Sequence, residues 1–257
     1  MLSWLPWRRA RRNKLRNTPL PDEMRQLLFR NVPYAARLDP DRLAKLEGLI
    51  QVFGDDKTFE GLAGLDIDDE IRITIAGQAC VLLLGHEVDV PYPGLDVIRV
   101  YPASYRAASH ERVGDIAVPS TSHRLGESSH RGYVVLSWRS VREGTRDPAD
   151  GRNVVLHEFA HQLDQLDGVA DGAPPLTAAL YGPWAKVLGE AFSELEEDVA
   201  KRRHSVIRAY GATNPAEFFA VATEEFFERP NRLRQKWPDV YEVMARYYNQ
   251  DPALESN

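Results

Sequence analysis

Apolar residues recur at helical spacing in both halves of the chain and at strand spacing only near its middle. "PLPDEMRQLLFRNVP" opens on Pro and Asp and reads as a short helix. In "DPDRLAKLEGLIQVFG", Leu43, Leu46, Leu49 and Ile50 share one face, Asp39 suits the cap and Pro40 the first turn. "DIDDEIRITIAGQACVLLLG" carries two periods at once. Ile67, Ile71, Ile75 and Ala79 step by four, whereas Ile71, Ile73 and Ile75 alternate, and the four-residue step favours helix. "LDVIRVYP" and "GYVVLSW" are β-branched and aromatic, bounded by Pro, Gly and Ser, and predict strands. The polar stretch 103–131 between them, rich in Ser, Arg and His, predicts a loop.

From about residue 150 the pattern is helical again. "DGRNVVLHEFAHQLDQLDG" predicts a helix closed by Gly168. "YGPWAKVLGEAFSELEEDVAKR", "NPAEFFAVATEEFFERP" (stopped by Pro230) and "PDVYEVMARYYNQ" predict three more. Helices, a few strands, then helices imply an α+β fold. The expected organisation is a flexible basic arm at 1–17, a helical region at 18–88 and a second domain at 89–257.

Composition narrows the class. The chain has 257 residues, 43% apolar and 27% charged, which suits a soluble globular protein. Its single cysteine, Cys80, permits no internal disulfide and excludes a Cys-rich zinc module, which fits a reducing, cytoplasmic setting. Residues 8–16 hold six Lys/Arg, and no acid occurs in 1–16, so the body is more acidic than the net −6 of the whole. An acidic body argues against nucleic-acid binding. The basic start, with its tryptophans, suits a solvated arm or a foot on anionic lipid. No apolar h-region follows it, and no run of 18 apolar residues exists to span a membrane.

The chemistry concentrates in "HEFAH". His157 and His161, at i and i+4, stand one above the other on a helix face, where both imidazoles can reach a Zn²⁺. Glu158 points slightly aside, placed to take a proton from water activated at the metal. A catalytic zinc needs a third protein ligand. His204 lies in the basic "KRRHS"; His86, His110, His123 and His130 precede the motif; none extends it at the spacing of a third histidine. A carboxylate on a later helix is the other solution. In "AYGATNPAEFFAVATEEFFERP", Asn214 suits an N-cap, Pro215 the first helical position, and Glu217 the third, so Glu217 could instead complete a capping box. Glu224, Glu225 and Glu228 read as a solvated face or as a hydrogen-bond partner for a ligating histidine, with Glu224 or Glu225 the candidates for that role. Phe218, Phe219, Phe226 and Phe227 are expected to pack this helix against the motif helix.

"HEFAHQLD" followed by "AYGATNPAEFFAV" resembles the Mlc titration factor A peptidases and, more distantly, the catalytic domain of anthrax lethal factor. "VYPASY", "GYVVLSW" and "YYNQDP" extend the likeness over nearly the whole chain. The resemblance implies a zincin-like, gluzincin-type peptidase domain over 89–257, one Zn²⁺ held by His157, His161 and Glu217, Glu158 as general base, and Tyr210 over the metal as oxyanion donor. It implies a peptide or protein substrate, aminopeptidase-like activity, and binding to a Mlc-type transcriptional repressor. The strand "GYVVLSW" could offer an exposed edge to substrate or be buried within a sheet. The rival class is a non-catalytic protein that sequesters a DNA-binding repressor; a closed structural zinc site lacks a fourth ligand near the motif.

Overall fold

The computed structural model describes residues 6–254 except 104, 114, 115, 125, 130 and 131, and gives the backbone alone over 105–129. Ten α-helices and six strands are present among the described residues. Four strands form the main sheet: β1 (Thr58–Gly61), β2 (Val97–Tyr101), β6 (Tyr133–Ser137) and β5 (Gly126–Ser129), in that spatial order. The first three run parallel and β5 is antiparallel. Parallel neighbours need long crossovers; the link from β1 to β2 carries α4 (Asp69–Val81). Phe59, Ile98 and Val134 lie side by side across β1, β2 and β6 and are buried.

The stretch 103–131, expected as a loop, is mostly strand. β3 (Tyr105–Val113) pairs antiparallel with β4 (Ile116–Arg124) as a separate two-stranded sheet, and β5 follows. Its polar sequence lacks the one-sided alternation of a half-buried strand, so periodicity hid it. Gly-Asp at 114–115, between Val113 and Ile116, is the hairpin signal that composition obscured. β6, considered as an exposed edge for substrate, lies between β2 and β5; hydrogen bonding on both sides removes that role. β1 is too short, at four residues, to carry a pattern.

The dual-period segment is helix α4, capped by Asp68, whose carboxylate accepts from Ile71 N. It is buried almost throughout, and a helix covered on all sides shows apolar residues at every spacing. Basic segment 1–17 carries α1 (Pro6–Arg16), docked on α3 (Pro40–Asp56). Arg11 pairs with Asp55, Arg12 with Asp89 at 2.8 Å, and Arg16 donates to Val88 O and Asp89 O, each at 2.6 Å. Gly48 makes the approach possible: a Cβ there would meet Arg16 O at 2.6 Å. Arg8, Arg9 and Lys14 stay exposed, with Arg8 over the exposed Trp7 ring. One hydrophobic cluster runs from Leu20 to Ala253, joining the 18–88 stretch to the rest. No helix among the described residues is long and apolar enough to cross a membrane.

Candidate metal centre

The motif segment forms α6 (Val154–Asp164), continued by a 3-10 turn at Gln165–Asp167 and ended by Gly168 at φ 93°. Asn153 starts it: its Oδ1 accepts from Val155 N at 3.1 Å and Leu156 N at 3.0 Å. The back of α6 is anchored in the core, with the Phe159 ring 4.7 Å from Tyr92 and 5.8 Å from Phe53. That leaves His157 and His161 on the front, their Nε2 atoms 3.2 Å apart.

The glutamate segment forms α8 (Pro215–Glu228). Glu217 serves its helix through the backbone: Glu217 N donates to Asn214 Oδ1 at 2.9 Å. Its carboxylate turns toward α6 instead of completing a capping box. Glu217 Oε2 lies 3.0 Å from His157 Nε2 and 3.4 Å from His161 Nε2. That oxygen is buried and accepts no well-directed hydrogen bond. Three ligand atoms within 4.8 Å of one another, two imidazole nitrogens and a carboxylate oxygen, fit the donor set of a divalent metal with an open position. The orphaned Oε2, aimed at two nitrogen lone-pair positions, is the geometry a shared cation resolves. His86, packed on Tyr247 and Tyr248, and exposed His204 stand outside this cluster. The side chains of His110 and His123, and His130 altogether, lie outside the described positions.

Glu224, seven residues after Glu217 and on the same face, is buried. Its Oε1 lies 2.9 Å from His157 Nδ1 and also pairs with Arg208 Nη2. Its Oε2 accepts from Asn153 N at 2.6 Å. A carboxylate on Nδ1 fixes the ring's tautomer and turns Nε2 toward the metal position. Four residues on, Glu228 accepts from Asn153 Nδ2 at 3.1 Å and from Arg152 N at 3.0 Å. Two carboxylates thus meet the positive end of the motif helix. Of the expected solvated remainder of the acids, Glu225 is fully buried and paired with Arg229, and Glu228 is half-buried. The phenylalanines were expected to face α6. Their ring contacts run toward α7 (Ala178–Ala200), α10 (Pro238–Tyr248) and their neighbours: Phe219 on Trp184, Phe226 on Tyr241 and Tyr248, Phe227 on Tyr34 and Tyr248, while Phe227 also shares a cavity wall with Leu156 of α6.

Burial is the largest influence on the metal-free His157 and opposes its charge. Glu217 and then Glu224 reverse it and push the pKa up to about 10. Burial likewise works to raise Glu217, but His157 and His161 hold it far below the usual carboxylate range. Burial pushes Asp164, at the end of α6, up to about 6, against a hydrogen bond from Gly172 N. Burial also lifts Glu228 to about 8; Asn153 opposes it, while nearby Glu224 and Asp150 add to it.

Glu158 is buried on α6 beside His157. Tyr210 sits on a 3-10 turn, Ala209–Ala212, half exposed, with its ring 5.9 Å from that of His157. The structure brings His157, His161 and Glu217 together and sets the Tyr210 ring near His157, while Glu158 follows His157 on the same helix. Arg208 and Asn153 were missed. Asn153 had a signal, a cap residue before an apolar run; Arg208, one more arginine in an irregular stretch, had none.

The sequence model of the "glucose-regulated metallo-peptidase M90" family matches residues 4–249. Among similar proteins, slr2042 of Synechocystis is 37% identical over 254 residues, covering 98% of this chain and 91% of its own. Mlc titration factor A of Edwardsiella ictaluri is 31% identical over 262 residues, 98% of this chain and 94% of its own. Mlc titration factor A of Cronobacter sakazakii is 30% identical over 261 residues, 99% of this chain and 94% of its own. With a family match over residues 4–249 and a His-His-Glu cluster within it, the chain belongs to the M90 metallopeptidase family.

Proposed function

We propose that the protein is a zinc-dependent peptidase of zincin-like, gluzincin type, with His157, His161 and Glu217 as the metal ligands. The observation that carries this reading is Glu217 Oε2, brought from α8 to within 3.4 Å of both Nε2 atoms of the motif helix. Zinc held there supplies a Lewis acid that polarises a carbonyl and lowers the pKa of water toward about 7. Glu158, one residue from a ligand, takes the proton of the attacking water and passes it to the leaving amine. Tyr210, at the mouth, donates its hydroxyl hydrogen to the developing oxyanion, a contribution typically worth about 3–4 kcal/mol. Glu224 holds His157 for this work, and Arg208 and Asn153 hold Glu224. The substrate is a peptide, with aminopeptidase-like preference.

Metal analysis and a panel of chromogenic amino-acid substrates test the proposal. About one zinc per chain is expected, and Glu158→Gln should retain the metal while losing hydrolysis by about 10²–10⁴-fold. Parental activity in that variant would overturn the enzyme reading. The relatives named Mlc titration factor A support a second reading, binding to a Mlc-type repressor with or without cleavage. Capture of such a repressor by Glu158→Gln separates binding from catalysis.

A further inference from the structure

Behind the first turn of α6 lies a cavity of about 40 Å³, bounded also by α2 (Asp22–Asn31), α4 and α8. It reaches Asn153 and Leu156 of the motif helix, while His157 and His161 do not line it. Val32, Val81, Leu156 and Phe227 give it an apolar wall. Three polar groups line the same space, and none of them has a charged partner among the described residues. Gln78 is 4% exposed, and its Oε1 accepts no hydrogen bond. Glu228 takes two donors from Asn153 and Arg152, but no basic side chain pairs with it among the described residues. Arg37, exposed at the rim, makes no ion pair or hydrogen bond among the described residues.

We propose that this cavity binds a small free α-amino acid, of the size of glycine or alanine. The ammonium group gives Gln78 Oε1 a donor and Glu228 a positive neighbour. The carboxylate meets Arg37, and a hydrogen or methyl side chain suits the apolar wall. A half-buried carboxyl next to Glu224 and Asp150, lifted to about 8 by burial, ionises at neutral pH only with a cation beside it. The volume holds about three or four water-sized groups, so the ammonium end and α-carbon enter it while the carboxylate stays at the exposed rim with Arg37, and a large side chain finds no room inside. Because Asn153 caps α6 and also bonds Glu228 and Glu224, an occupant here touches the frame that holds His157.

Calorimetric titration of the whole chain, with and without zinc, tests this with glycine, L-alanine, L-leucine, ammonium chloride and sodium acetate. Glycine and alanine should bind saturably, with leucine, ammonium and acetate weaker. Gln78→Leu replaces an unpartnered amide by an apolar group of similar size, and Arg37→Gln changes an exposed residue, so both should fold. Each should weaken glycine binding about tenfold or more. Absence of saturable glycine or alanine binding overturns the proposal. So does unchanged binding in both variants, which would place the amino acid at the metal centre as a product. Ammonium binding as tight as glycine's would also overturn it, leaving a plain cation site.

Discussion

Glu224 Oε1 lies 2.9 Å from His157 Nδ1, on the opposite side of the imidazole from Glu217. One helix, α8, thus supplies both a carboxylate for the metal position and another that aims its first histidine. Glu224→Gln keeps the shape but removes the charge, and its amide can present a donor to Nδ1. It should weaken zinc affinity about 10–100-fold, read by competition with a chromogenic chelator.

Glu217 acts on its helix through its N–H and on the site through its carboxylate, so the two roles separate. Glu217→Gln should lower zinc content sharply and, by removing the partner of His157, should also lower the melting temperature of the metal-free protein, while the backbone cap at Asn214 stays in place. Asn214→Ala should lower that melting temperature, by about 1 kcal/mol of stability, through loss of the cap. Undiminished zinc in Glu217→Gln would exclude it as a ligand.

Gly172, at φ +80°, sets the start of α8 against the end of α6. A Cβ there would meet Pro215 O at 2.3 Å, while Gly172 N donates to Asp164 and Gly172 O accepts from Trp184 Nε1 at 3.0 Å. Gly172→Ala combines a strained backbone with a clash against backbone, a cost of about 1–3 kcal/mol. Displacing Pro215 moves Glu217, so zinc affinity should fall along with thermal stability.

Glu228 binds its proton more tightly folded than unfolded, because its pKa is lifted from 4.5 to about 8. Its favourable contribution is full below the unfolded value and is lost as pH rises through the folded one. Stability should therefore fall across roughly pH 4.5 to 8 on its account. Glu228→Gln should flatten that slope, gaining on the parent at pH 8 relative to pH 5 in paired melting curves. An unchanged difference at the two pH values would mean that Glu228 is ionised normally.

The segment 1–17 adds a docked helix rather than a solvated arm. Arg12 is 6% exposed at its side chain and pairs with Asp89, and α1 covers Gly48 of α3. Deleting residues 1–16 should lower the melting temperature by several degrees; removal of a solvated arm would leave it unchanged.

Periodicity and capping, read from the sequence alone, marked the main helices, and an i,i+4 spacing stacked His157 over His161. These features depend on neighbours within a few turns of one chain segment, so they are legible without a fold. The cap at Asn214 was legible for the same reason. Spacing could not choose between cap and ligand for Glu217's side chain, nor between Glu224 and Glu225 for His157. Those choices depend on which face of α8 meets α6: adjacent positions point about 100° apart, so Glu224 meets His157 while Glu225 turns away to Arg229. Tertiary packing also set phenylalanine rings of α8 on aromatic residues of α7 and α10 and turned a basic tail into a docked helix. The polar β3–β4 pair escaped because its sequence lacks the one-sided apolar alternation that marks a half-buried strand. Local geometry determined which residues could reach a metal; the α6–α8 interface decided which of them face it and what holds them there.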